Sequence, residues 1–231
     1  MRLAVKIGGV AVTVISVIWA RQAATAQVWS TILIWGVPLL CYPVALLGRW
    51  ALRGADAKRA EWANVFVHYA IGIALGCSIF PAFGVVGLRP GTAIPFPRQI
   101  SSWILMVSGT AAVLSVANFA IRGMGAPWAI KLSSRLASDY MYRWTRNPMG
   151  FSSLVFLVFY GLHAGSLWFV LWAGLIISPA WMFFAHLYEE RELEIRFGQS
   201  YREYRSRTSF MIPWRQKGKE RAKEAGVAAS D

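Results

Sequence analysis

Acidic residues are scarce in this chain. Asp and Glu together number 11 among 231 residues, and charged residues of both signs make up only 15%, against roughly 25% in ordinary soluble domains. Cysteine is nearly absent as well. Cys41 and Cys77 both lie inside apolar runs, so there is neither a disulfide framework nor zinc-ligand spacing. No metal is expected, and both thiols read as small core residues. Internal repeats are missing, and no charged residue falls at the middle of an apolar run. Those absences argue against a channel or carrier, whose pathways need intramembrane charge or paired repeats.

What the chain has in plenty is apolar length and positive charge. Hydrophobic residues make up 56%, and the mean hydropathy is +0.44, which excludes a disordered chain. Lys and Arg number 24, for a net charge of +13. In a soluble protein such an excess would suggest nucleic acid. Beside this apolar content it points to the basic loops of a membrane protein, with the lipid bilayer and no nucleic acid as partner. A hydrocarbon core of about 30 Å takes about 20 helical residues. Residues 3–20, 28–47, 65–87, 100–121 and 167–187 reach or approach that length, and 149–162 makes a shorter sixth. The expected fold is all-α: a polytopic helical membrane protein of about six transmembrane helices with a C-terminal interfacial amphipathic helix. Transmembrane helices fill 1–121, a helical hairpin and interfacial helices fill 122–214, and 215–231 is a flexible tail. Pro81 and Pro179 should kink their helices.

With the N-terminus inside, the inner segments carry 21 basic residues and the outer loops carry Arg21, Arg89 and Arg98. The positive-inside rule then puts both termini in the cytoplasm, in a bacterial inner membrane or the endoplasmic reticulum of a eukaryote. The first span also reads as a signal peptide, with Arg2 and Lys6 at its start and a small-residue site at 24–26. Cleavage there leaves the later orientation unchanged.

Nearly all the polar chemistry therefore sits at the inner side. Gly123 and Gly125 flank Met124 after the fourth span; they suit close backbone approach to a ligand or a plain loop. Arg146-Asn147-Pro148-Met149 opens the short fifth helix, with Asn147 placed to cap it and Pro148 in its first turn. A helix this short must begin below the inner surface, so its free N–H groups should face a cavity. His186, Glu189 and Glu190 close the sixth span, three and four residues apart and so on one helix face. Carboxylates so near the bilayer need partners. Glu192 and Glu194 read instead as surface acids, with Arg196 four residues after Glu192. Leu193, Phe197, Tyr201 and Tyr204 recur at helical spacing, giving an apolar face, broken at Gly198, that covers a pocket or simply anchors the chain. His68 reads as a packing residue and His163 as a loop residue.

Taken in order, Gly123-Met124-Gly125-Ala126-Pro127, Arg146-Asn147-Pro148-Met149, Glu189-Glu190-Arg191-Glu192-Leu193 and Phe197-Gly198-Gln199-Ser200-Tyr201 resemble the integral-membrane methyltransferase superfamily, over about residues 123–214. That group includes isoprenylcysteine carboxyl methyltransferases and phospholipid N-methyltransferases. The resemblance implies S-adenosylmethionine as cofactor, bound by the 122–214 part, with Arg146, Asn147, Pro148, Glu189 and Glu190 in its pocket. The helix start and the glycine turn add Met149, Gly123 and Gly125 as cofactor-binding candidates, and the acid cluster adds His186. The resemblance also implies a membrane lipid or lipidated substrate as acceptor. Asn147 stands where the carboxyl-methylating branch has histidine, and Met149-Gly150-Phe151-Ser152 stands where members usually read Met-Tyr-x-Gly. Arg146 and Glu190 are the expected catalytic residues. An amine acceptor must lose a proton, which Glu190 or His186 could accept. A nicotinamide-dependent reductase of a sterol-like or enone substrate is the alternative, although no further dinucleotide fingerprint is present.

Overall fold

A computed structural model describes residues 2–86, 93–121 and 136–213. Seven helices account for most of them: α1 (Arg2–Ala23), α2 (Gln27–Ala51), α3 (Ala57–Val85), α4 (Arg98–Ile121), α5 (Pro148–His163), α6 (Leu167–Phe197) and α7 (Gln199–Arg207). Five are long and apolar enough to cross a bilayer, and the 16-residue α5 is the shorter apolar sixth. The described residues form no strand, so the protein is an all-α polytopic membrane protein. Large apolar side chains such as Ile15, Leu47, Trp103, Val113 and Leu175 are exposed around the outside, the surface expected to meet lipid tails. Gly123, Gly125 and the 215–231 tail lie outside the described residues.

Two helices run further than their apolar stretches suggest. α3 starts at Ala57, where Asp56 Oδ1 accepts from the Arg59 N–H at 2.7 Å and caps it. α6 carries its polar end on to Phe197 and stops at Gly198, whose φ of +54° few other residues adopt. The prolines show how long helices absorb a breaker. Pro81 lies inside α3 without ending it. Pro38 and Pro179 each fall two residues after a π turn, Ile32–Gly36 in α2 and Ala173–Ile177 in α6. A proline ring clashes with the carbonyl four residues back and cannot bond to it; the wider turn makes room. In α2 that carbonyl belongs to Ile34. It accepts from Trp172 Nε1 of α6 at 2.7 Å and from Ser78 Oγ of α3 at 3.0 Å, so the group freed by Pro38 becomes the point where three helices join.

α3 stands centrally. α1 packs along it, with the Tyr69 hydroxyl donating to the Lys6 carbonyl at 2.8 Å. α2 packs on α3 and α6 through Cys41, Ala45, Val67, Ile71, Phe184 and Tyr188. α6 meets α5 in a hairpin closed at Gly165, and α4 lies along α5. α3 and α4 do not pack side by side, and the cavity described next lies between them and the α5–α6 hairpin.

Candidate active site

The N-terminal end of α5 is held by a strap that follows α7. Residues 208–211 run beside 144–147, with a parallel bridge between Thr145 and Ser209. The Arg146 N–H donates to the Ser209 carbonyl at 2.9 Å. The Phe210 carbonyl accepts from Thr145 Oγ1 at 3.2 Å and from Asn147 Nδ2 at 2.9 Å. Asn147 therefore does not cap α5 with its side chain, as its type suggests; the amide is spent on the strap. Phe210 also lies under the Arg146 guanidinium, 5.7 Å from its ring centroid, and meets the His186 ring edge-on at 5.3 Å.

Opposite, α6 brings the acids. A π turn over Ala185–Glu189 inserts extra winding just before them, a feature frequent at functional sites. It separates residues that ordinary helical spacing puts on one face. Glu190 turns to Arg146, whose Nη1 is 2.8 Å from its Oε1, while His186 Nδ1 and Arg205 Nη2 each approach its Oε2 at 3.5 Å. Glu189 turns instead to α3, where His68 Nε2 is 3.6 Å from its Oε1. Glu192, expected at the surface, is buried and paired with Arg196 at 2.9 Å. Glu194 stays at the rim with Arg191 and Arg202.

These groups surround a cavity of about 450 Å³, within the range of small-molecule sites. Its polar end is lined by Arg146, Asn147, Glu189, Glu190, Glu192 and Arg196. Further along the helices its wall is Gly76, Phe80, Val116, Leu154, Leu157 and Trp181, all without charge. Leu193, Phe197, Tyr201 and Tyr204 all line the cavity and pack with Ala137 and Tyr142, in keeping with the first of the two roles the sequence left open. The Tyr204 hydroxyl donates to the Tyr142 carbonyl at 2.7 Å. Burial, reinforced at Tyr201 by the charge of Glu190, pushes the Tyr201 and Tyr204 phenols well above their ordinary range, so both stay neutral hydrogen-bonding groups. Several buried polar atoms facing this end have no hydrogen-bond partner among the described residues: Arg146 Nε and Nη1, both Glu190 oxygens, Glu189 Oε2 and the Tyr201 hydroxyl. Arg146 and Glu190 are thus in ionic contact without an aligned hydrogen bond. Such groups are costly to bury unmatched, and both signs of charge are offered to one space.

Of the residues singled out in the sequence, Arg146, Asn147, Met149, Glu189 and Glu190 come together on the cavity wall. Pro148 is buried in the first turn of α5 but off the wall, and His186 is also off it, its side chain 63% exposed. Asn64, which the sequence did not mark, His68, read there as a packing residue, and the Glu192–Arg196 pair, read there as a surface pair, also line it. Gly150 stands where the superfamily that the sequence resembles usually has tyrosine, and its surroundings give a reason. A Cβ there would lie 2.0 Å from Trp181 Cη2, so Trp181 fills the space that a larger residue at 150 would need.

Comparison with known proteins gives one informative similarity. Over 115 residues, 48% of this chain, the sequence is 29% identical to the methanethiol S-methyltransferase of Mycobacterium tuberculosis, and the match spans 45% of that relative's length. No protein-family profile and no solved structure matches. The chain is therefore an integral membrane protein with distant similarity to a methyltransferase, and nothing in that similarity points to a nicotinamide-dependent reductase.

Proposed function

We propose that this protein is a membrane-embedded S-adenosylmethionine-dependent methyltransferase whose acceptor is an apolar, lipid-like molecule reached from the bilayer. The observation that carries the reading is one cavity walled by charges of both signs beside the start of α5 and by uncharged side chains further along the helices.

The residues suit the cofactor. Its amino-acid part carries a carboxylate and an ammonium, which Arg146 and Glu190 complement in sign, and the unmatched atoms of both are free to bond outward. Glu189 offers a second carboxylate to its cationic groups, and the first-turn N–H groups of α5 at Met149 and Gly150 add positive potential. When bound, S-adenosylmethionine supplies an electrophilic methyl group on a sulfonium. The chain's own contribution is placement. Methyl transfer is an in-line displacement, and holding two reactants in line can supply roughly 7–11 kcal/mol. Leu193, Phe197, Tyr201 and Tyr204 close the cytoplasmic side against water, and the uncharged wall keeps the acceptor's tail in register. The relative's name adds a thiol to the acceptor chemistries worth testing, beside the isoprenylcysteine carboxylate and phospholipid amine types.

The test is transfer of a labelled methyl group from S-adenosylmethionine to extracted membrane lipids or to an added alkanethiol by the purified chain in detergent. Label in an organic-soluble product, lost with Arg146→Ala, is expected. Cofactor binding without transfer to any of these acceptors would overturn the acceptor reading, and no binding would overturn the whole.

A further inference from the structure

Arg146 and the two glutamates answer the amino-acid part of the donor, but one buried polar group on the cavity wall has no use in that scheme. Asn64 is 5% exposed, and its Oδ1 is shut off from solvent with no hydrogen-bond partner among the described residues. An amide is costly to bury in that state. Of the described α3 residues on the wall, only Asn64 and His68 are polar. His68 is committed: its Nδ1 is 3.0 Å from the Asn64 main-chain carbonyl, and its Nε2 faces Glu189 Oε1 at 3.6 Å. The Asn64 side chain is left as a neutral group that can both donate and accept.

The stretch of α6 that packs on α3, Glu190–Phe197, carries the second observation. It brings Leu193 and Phe197 to the same wall, and α7 adds Tyr201 and Tyr204. Phe197 is half-buried, with the Arg196 guanidinium 5.0 Å from its ring centroid. Tyr204 is fixed by its bond to the Tyr142 carbonyl, and the Tyr201 ring packs on it at 6.3 Å between centroids. Rigid aromatic faces suit a flat ring better than a flexible chain. Stacking on such faces is favourable for any nucleobase. An asparagine amide pairs with adenine in particular: Oδ1 accepts from the exocyclic amino group while Nδ2 donates to the neighbouring ring nitrogen. The donor's ammonium is drawn instead to the carboxylates, where charge adds to the hydrogen bond, so a neutral amide competes poorly for it.

Resting on the methyltransferase reading, we propose that this part of the wall is a nucleobase site, in which the cofactor's adenine stacks on Phe197 beside the tyrosines and the Asn64 amide reads its amino edge. The chemistry of the wall then divides the ligands. Arg146 and Glu190 hold the amino-acid part, the amide and aromatic rings hold the base, and the uncharged side chains further along the helices are left for the acceptor. Selection of the donor thereby extends to α3, which lies outside the 123–214 stretch that carries the family resemblance.

The experiment is calorimetry on the full chain in detergent with two ligands, S-adenosylhomocysteine and its analogue lacking the exocyclic amino group. The unmutated chain is expected to bind the first roughly 5- to 150-fold more tightly. In Asn64→Ala the preference should collapse to within about twofold, through weaker binding of S-adenosylhomocysteine, while the analogue, bound nearly as before, reports an intact site. Phe197→Ala should weaken both ligands alike, by roughly 5- to 150-fold. Equal affinities for the two ligands in the unmutated chain, a preference that survives Asn64→Ala, or undiminished binding by Phe197→Ala would overturn the proposal and leave the methyltransferase reading standing. The first comparison decides even where a variant fails to fold. Binding of neither ligand by the unmutated chain would overturn the methyltransferase reading and the proposal with it.

Discussion

Glu190 is buried with two arginines and a histidine around it, so removing it leaves Arg146, itself 10% exposed, without its nearest anion. Glu190→Ala is expected to destabilise the protein by about 3–5 kcal/mol, as for other broken buried ion pairs. Glu194→Ala, at the rim, should cost less than about 0.5 kcal/mol. Chemical unfolding of both variants in detergent checks the difference. Gly150 makes a second prediction. Gly150→Ala drives a methyl into Trp181 and should cost about 1–3 kcal/mol by overpacking, recovered in part when combined with Trp181→Phe. Much of this chemistry was legible in the sequence. Arg146, Asn147, Glu189 and Glu190 stand at a helix start and a helix end, where local rules say polar groups collect. His68 was not legible as a site residue. Its partner Glu189 lies far along the chain, and the π turn at Ala185–Glu189 that aims Glu189 toward α3 breaks the 3.6-residue arithmetic that put both glutamates on the face of His186.

The elements were easier to read than their joints. Apolar length alone located the five helices long enough to cross a membrane and the shorter apolar sixth, and Gly198 marked the break between α6 and α7. The apolar runs did not show that α3 starts at Ala57, because its first turns are polar and are held by the Asp56 cap. Residues 64, 68, 71, 72, 75, 76 and 79 follow helical spacing down one face of α3, and that face is the cavity wall; only the helices opposite give it meaning. The Ile34 carbonyl offers a test at this scale. Trp172→Phe or Ser78→Ala alone leaves it one donor, so each loss in hydrogen bonding should be about 1 kcal/mol or less. The double substitution leaves a buried carbonyl with neither, and should cost about 1–3 kcal/mol more than the sum of the two. A thermal-unfolding double-mutant cycle reads that coupling, and simple additivity would contradict the joint.

Among the described residues the helices form a bundle in which α3 and α4 do not pack side by side, with a polar cover of α7 and the 208–211 strap at one end. By the positive-inside rule, the split of 21 basic residues to 3 predicts that end to face the cytoplasm. A reporter fused after residue 231 should be active on the cytoplasmic side alone, and activity on the far side would reverse the arrangement. The central claim is that the buried, unmatched charges around Arg146 and Glu190 are a binding site for S-adenosylmethionine. Calorimetric titration of the cofactor into folded Glu190→Ala, Glu194→Ala and unmutated protein tests it most directly. Losing a charge-assisted hydrogen bond costs about 1.5–3 kcal/mol, so Glu190→Ala should bind roughly 10- to 150-fold more weakly than the unmutated chain, with Glu194→Ala close to it. Equal affinities for the two variants, or no binding by the unmutated chain, would contradict the account.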